Sequence, residues 1–253
     1  ILDRGGAEAQ PQPCRHRTPT AHPFIGHFSQ PESLQRWQFA NGSRAGIRVS
    51  LGRRNLRIRV RRNDLSNDNP DVDAVQVTGI VANVRNGVSE WTEDLVMEGN
   101  AVDFRSNDTR DGLHISARNG RGVRVAANTI RGGSRGLRVE SCSDLDLDRN
   151  KVYGATSHAC TIGAVDNDII DVRARGNLFQ TAAEFKAAVA LTGAHALTRS
   201  SIEERNRLEA TAQGYSVMST DGGARSFRYK SNSVNCPLHS SAVPTEDAGN
   251  VTE

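Results

Sequence analysis

Short runs in which apolar and polar residues alternate recur along this chain. Each ends in an asparagine that is followed, one or two places on, by an apolar residue. The runs are LRIRVRRNDL to Asn63, LVMEGNAV to Asn100, VRVAANTI to Asn128, LDLDRNKV to Asn150, VRARGNLF to Asn177, IEERNRL to Asn206 and FRYKSNSV to Asn232. Their spacings are 37, 28, 22, 27, 29 and 26 residues. A second alternating run lies upstream of each: GIRV (46–49), AVQV (74–77), GLHI (112–115), GLRV (136–139), ACTI (159–162), AVAL (188–191) and GYSV (214–217). Period-2 alternation is the mark of a half-buried strand. Two strands per unit, with turns rich in Gly, Asn, Asp and Ser, predict the coils of a solenoid. The uneven spacing excludes strict helical repeats.

The units DGLHIS…VRVAANTI and GLRV…LDLDRNKV resemble the coils of right-handed parallel β-helix proteins, the pectate-lyase-like superfold. The resemblance implies an all-β solenoid of about seven coils over 44–235. Stacked coils would turn the repeated Asn into a ladder of amides. Val75, Leu113, Leu137, Cys160, Val189 and Tyr215 would form one inward column. Residues 1–43 hold Pro11, Pro13, Pro19, Pro23 and Pro31 and read as an N-terminal arm or cap over the first coil. Residues 236–253 read as a polar C-terminal tail. Two short helices are expected, at Pro31–Trp37 and at 181–188, where Thr181 and Glu184 have capping-box spacing.

Charge adds a register. On the downstream strands the outward residues read Arg59 and Arg61, Glu98, Arg124, Asp146 and Asp148, Arg173 and Arg175, Glu203 and Glu204, then Arg228 and Lys230. The sign alternates at every step, so stacking places each charge beside its opposite. This face reads as structural. The Arg-rich stretch 44–62 reads the same way, with contact to an anionic glycan second.

Composition narrows the class. The 253 residues carry a net charge of +3, too small for bulk nucleic-acid binding. No apolar run approaches the roughly 20 residues of a membrane-spanning helix. The four cysteines, Cys14, Cys142, Cys160 and Cys236, have no CxxC spacing, so no zinc site is expected. The loop DLSNDNPDVD gathers Asp64, Asp68, Asp71 and Asp73, hard ligands that suit Ca²⁺. Solvated turn acids are the commoner reading of such a loop, and no other cofactor is implied.

Candidate chemistry lies on the upstream strands. Asp73, Asp111, Arg135 and His158 lead these strands, and Gln76, His114, Arg138 and Thr161 face outward. Asp73, Asp111, His114, Arg135, Arg138 and His158 are the candidate catalytic residues, with Gln76, Arg110 and Tyr153 as substrate contacts. Paired carboxylates would serve as general acid and base in hydrolysis. Alternatively, Arg135 and Arg138 would neutralise a uronate carboxylate while His114 or His158 takes the C5 proton, with Tyr153 as acid. The superfold resemblance thus implies a secreted or surface-exposed protein acting on an acidic polysaccharide, as lyase, epimerase or hydrolase. The rival expectation is a non-catalytic structural or adhesive β-helix, such as a surface, spike or virion component. Aromatic content of only 5% favours the rival, because sugar clefts stack rings on Trp and Tyr. A homo-oligomer, a trimer above all, would favour it too.

Overall fold

The computed structural model describes residues 58–67, 91–104, 111–211, 213–219, 223–240 and 244–252, together with the strands Ile25–His27, Ser33–Gln35, Gln38–Phe39, Ile47–Leu51, Arg54–Leu56 and Ile80–Val84. No helix occurs among the described residues. Each coil contributes one strand to each of three parallel sheets. The first sheet runs Ile25–His27, Ile47–Leu51, Ile80–Val84, Asp111–Gly120, Arg135–Cys142, Cys160–Gly163, Ala187–Thr192, Tyr215–Ser219 and His239–Ser240. The second collects the strands before each ladder asparagine, and the third the short strands after it. The chain is a parallel β-helix. About five coils of the solenoid are described, against the seven expected.

The core follows from the alternation. In the first sheet Leu113, Leu137, Cys160, Val189 and Val217 are in register and fully buried. In the second sheet the inward column is Val60, Met97, Val125, Leu147, Ala174, Ile202 and Tyr229. In the third it is Leu65, Val102, Ile130, Val152, Phe179, Leu208 and Val234. Each fully buried large side chain contributes roughly 1.5–3 kcal/mol. Cys160 is a small core residue; its thiol is free, and burial pushes it above the ordinary range.

The asparagine ladder satisfies both halves of each amide. Asn128 Nδ2 donates to Asn150 Oδ1 at 2.9 Å and to the Met97 carbonyl at 3.0 Å. Its Oδ1 accepts from Asn100 Nδ2 at 2.8 Å and from the Asn100 backbone N–H at 2.9 Å. The pattern runs from Asn63 to Asn232 and gains a further rung at Asn250, 3.0 Å from Asn232. The residue before every rung has positive φ: Arg62, Gly99, Ala127, Arg149, Gly176, Arg205, Ser231 and Gly249. That left-handed residue turns the chain out of the second sheet and delivers the amide to the stack.

Several expectations need correction. Residues 236–252 are not a loose tail: His239–Ser240, Glu246–Ala248 and Val251–Thr252 add one strand to each sheet. At the other end, Ile25–His27, Ser33–Gln35 and Gln38–Phe39 do the same, and Ser33–Gln35 replaces the helix expected at Pro31–Trp37. The segment expected as a helix at 181–188 is a turn between Leu178–Thr181 and Ala187–Thr192. Thr181 Oγ1 does accept the Ala183 N–H at 3.2 Å, but so short a connection cannot nucleate a helix, and Phe185 takes φ 55°. Val217, not Tyr215, continues the inward column, because Tyr215 stands opposite Ala187.

On the second sheet the alternating charges pair at several of the expected coil steps. Arg61 meets Glu98 at 3.1 Å, Arg124 meets Asp148 at 3.7 Å, and Arg175 meets Asp146 at 3.5 Å and Asp148 at 3.9 Å. Glu203 then meets Arg228 at 3.1 Å and Lys230 at 3.9 Å. From the Arg-rich stretch, Arg59 also reaches Asp94 at 2.7 Å. Glu204 departs from the pattern; it sits in the turn, at φ 63°.

Candidate functional site

The first sheet carries a charged cluster on the coils that begin at Asp111 and Arg135. Gly112 and Gly136 create the corner it stands on. A Cβ on Gly112 would lie 2.4 Å from Ile130 Cγ2, and one on Gly136 would lie 2.1 Å from Val152 Cγ1. Only glycine lets the third sheet's core pack that close, and Asp111 and Arg135 are thereby held in register at the strand entrances.

Asp111 is almost wholly buried. Arg135 grips it through Nε–Oδ1 at 2.6 Å and Nη2–Oδ2 at 3.3 Å. Arg138 Nη1 lies 3.6 Å from Oδ2 of the same carboxylate, and His114 Nδ1 lies 3.8 Å from it. A second carboxylate, Glu140, completes the group. Arg138 Nε donates to Glu140 Oε1 at 2.6 Å, its Nη2 also contacts that oxygen, and His114 Nε2 lies 3.2 Å from Oε2. Burial works to raise the pKa of Glu140. The His114 hydrogen bond and the Arg138 guanidinium outweigh it, so the carboxyl sits below the usual glutamate range.

Beside this cluster lies an open pocket of about 340 Å³ lined by Ser134, Arg135, Arg138, Glu140, Ser157, His158, Thr161 and Thr192. His158 Nδ1 is 3.1 Å from the Ala187 carbonyl oxygen and 3.2 Å from the Ala187 nitrogen. Burial lowers the His158 pKa, the contact with the Ala187 carbonyl opposes it, and the charges of Lys186 and Arg135 lower it further. The imidazole is therefore neutral at pH 7. The pocket thus gathers two guanidiniums, an ionised carboxylate and a neutral imidazole. That arrangement can hold an anion beside a base.

The structure brings together Asp111, His114, Arg135 and Arg138, with His158 across the pocket. Asp73, Gln76 and Arg110 lie outside the described residues. The strand above Asp111–Gly120 is Ile80–Val84, with Val81 opposite His114, so 74–77 does not supply that position. In the stretch AVQVTGIVANV the alternation lies in AVQV, whereas the strand paired with Asp111–Gly120 is the apolar-rich Ile80–Val84, which carries no alternation to mark it. Tyr153 is not on this face; it belongs to the third sheet, under Arg131 at 5.5 Å. Tyr153 stands in a third strand of the coil, which a two-strand reading of each unit overlooks. Glu140 was missed for a related reason: the strand reaches Cys142, and Glu140 shares an outward face with Arg138 two residues before it. Of the Asp-rich loop, Asp68, Asp71 and Asp73 lie outside the described residues. No helix among the described residues is long and apolar enough to cross a membrane. Comparison with protein-family models, with curated proteins and with solved structures gives no match for this chain.

Proposed function

We propose that this β-helix acts on an acidic polysaccharide, by abstraction of the uronate C5 proton. The observation that carries the reading is the pairing, in one pocket, of Arg135 and Arg138 with the neutral imidazole of His158. A uronate carboxylate would lie against the guanidiniums, which stabilise the enolate as its charge develops. His158 would take the C5 proton, since a base must be unprotonated at the working pH. The electron pair then either expels the C4 oxygen, giving an unsaturated product, or is reprotonated from the other face, giving the epimer. Glu140 and His114 would act by positioning, because both are already engaged with Arg138 or its carboxylate partners. A polysaccharide substrate implies a secreted or surface-exposed protein.

One observation favours the non-catalytic alternative, a structural or adhesive β-helix. Asp111, Arg135, Arg138 and Glu140 already compensate one another across two coils, as a brace would. Incubation with polygalacturonate and with alginate separates the two. Growth of the ultraviolet absorbance of the unsaturated product, or an epimerised uronate by NMR, abolished in His158→Ala, is expected. A wild-type protein silent in both assays would leave the structural reading in its place.

A further inference from the structure

The hydroxyl of Thr161 is buried, with no hydrogen-bond partner among the described residues, and the residue is only 5% exposed. It lines the pocket shared by Arg135, Arg138 and His158. A buried hydroxyl left unpaired is destabilising, and its neighbours offer it nothing. In register it stands between Arg138 and Ala190. The adjacent column runs Glu140, Gly163, Thr192. Beyond the charged coil, then, the floor of the pocket is made by small side chains, Thr161 and Thr192. A Cβ on Gly163 would stand 3.2 Å from both Thr192 Oγ1 and Val165 Cγ2 and 3.3 Å from Glu140 Cγ, so these side chains already close over the backbone there. Two coil steps of this floor span about 10 Å.

We infer that this floor is a second subsite, which takes the sugar unit next to the uronate held by Arg135 and Arg138. Thr161 Oγ1 bonds a ring hydroxyl of that unit, and Thr192 lines the pocket beside it. The inference rests on the uronate reading and adds the neighbouring unit to it. An unpaired hydroxyl in the free protein is then a recognition group awaiting its partner, as buried polar atoms at binding sites are.

The test compares wild type, Thr161→Val and Thr161→Ser, with trigalacturonate and trimannuronate as probes in calorimetric titration and thermal melts without ligand. Valine keeps the shape and removes the unpaired group, so the melting temperature should rise by about 2–4 °C. The same substitution should weaken trisaccharide binding roughly tenfold, and serine should restore it. A fall in melting temperature would mean that the hydroxyl is paired in the free protein and would overturn the inference. Wild-type binding that is unchanged in Thr161→Val would overturn it and leave the uronate reading standing. A wild type that binds neither trisaccharide would remove both.

Discussion

Arg135 holds Asp111 across one coil step with two bonds, 2.6 Å from Nε to Oδ1 and 3.3 Å from Nη2 to Oδ2. Arg138 and His114 approach the same carboxylate from the outer face. Asp111→Asn therefore removes the charge that compensates two guanidiniums. Unfolding in urea should show a loss of about 2–4 kcal/mol, somewhat below that of a fully buried pair because the Arg135 side chain is 32% exposed. Loss of activity in this variant would reflect a weakened fold as much as missing chemistry. His158→Ala is the cleaner catalytic probe.

Two of the shifted groups, Glu140 and His158, bear on the acid limb of stability. Glu140 holds its proton less tightly folded than unfolded, where its value is 4.5. Its contribution is present above that value and disappears as pH falls through the lower folded pKa. His158 is likewise lowered, from 6.5. Folding thus favours its neutral form, and its contribution is complete above pH 6.5 and lost on descent through the folded value. Melting temperature should fall on acidification from neutrality, and His158→Gln should flatten the slope just below pH 6.5 while leaving the glutamate step.

Asn150 sits in the middle of the ladder. Its side chain accepts from the Asn128 N–H at 3.2 Å and from Asn128 Nδ2 at 2.9 Å, and it donates to Val125 O at 2.8 Å and Asn177 Oδ1 at 3.1 Å. Asn150→Ala removes these four bonds in a buried site, leaving Asn177 Oδ1 only the backbone N–H of residue 150 at 2.9 Å, and should cost about 3–5 kcal/mol in urea unfolding. Asn250→Ala, at the partly exposed last rung, should cost about 1 kcal/mol or less.

The left-handed position before each rung gives a reciprocal pair. Ala127 has φ 53° and an exposed side chain, so Ala127→Gly should raise stability by about 0.5–1 kcal/mol. Gly176 occupies the equivalent place at φ 61°, and an added Cβ would meet Arg149 Cγ at 3.3 Å. Gly176→Ala should lose about 1 kcal/mol or more. Equal effects of the same sign would contradict the shared geometry.

The architecture was legible because its signals are redundant. Alternation, the Asn period and the changing charge sign all specify the same stacking, and the pairing of Asn128 with Asn150 follows from any of them. Single-position choices lacked that redundancy. AVQV alternates, whereas IVAN opens with three apolar residues in a row, so alternation points to Gln76 and not to Val81 as the residue over His114. Asn250 follows its predecessor by 18 residues, too short a step to be counted as a coil, and so its region read as a tail. In the site, His114 and Arg138 were found as outward residues of strands, but their binding to Asp111 and Glu140 is a matter of side-chain conformation, which alternation does not encode. The unpaired state of Thr161 has no signature in sequence at all.

The ion pairs of the second sheet carry a consequence for how this chain can lengthen or shorten. Its backbone repeats every coil, but its charge repeats every second coil, since Arg61, Glu98, Arg124, Asp148, Arg175, Glu203 and Lys230 alternate. Excising one coil would leave the asparagine stack and the core continuous yet press like charges together at the seam. Excising two would rejoin opposite signs. Duplication and loss of repeats are therefore compatible with this face only in pairs, and the electrostatics impose a parity that the hydrogen-bonded framework does not have.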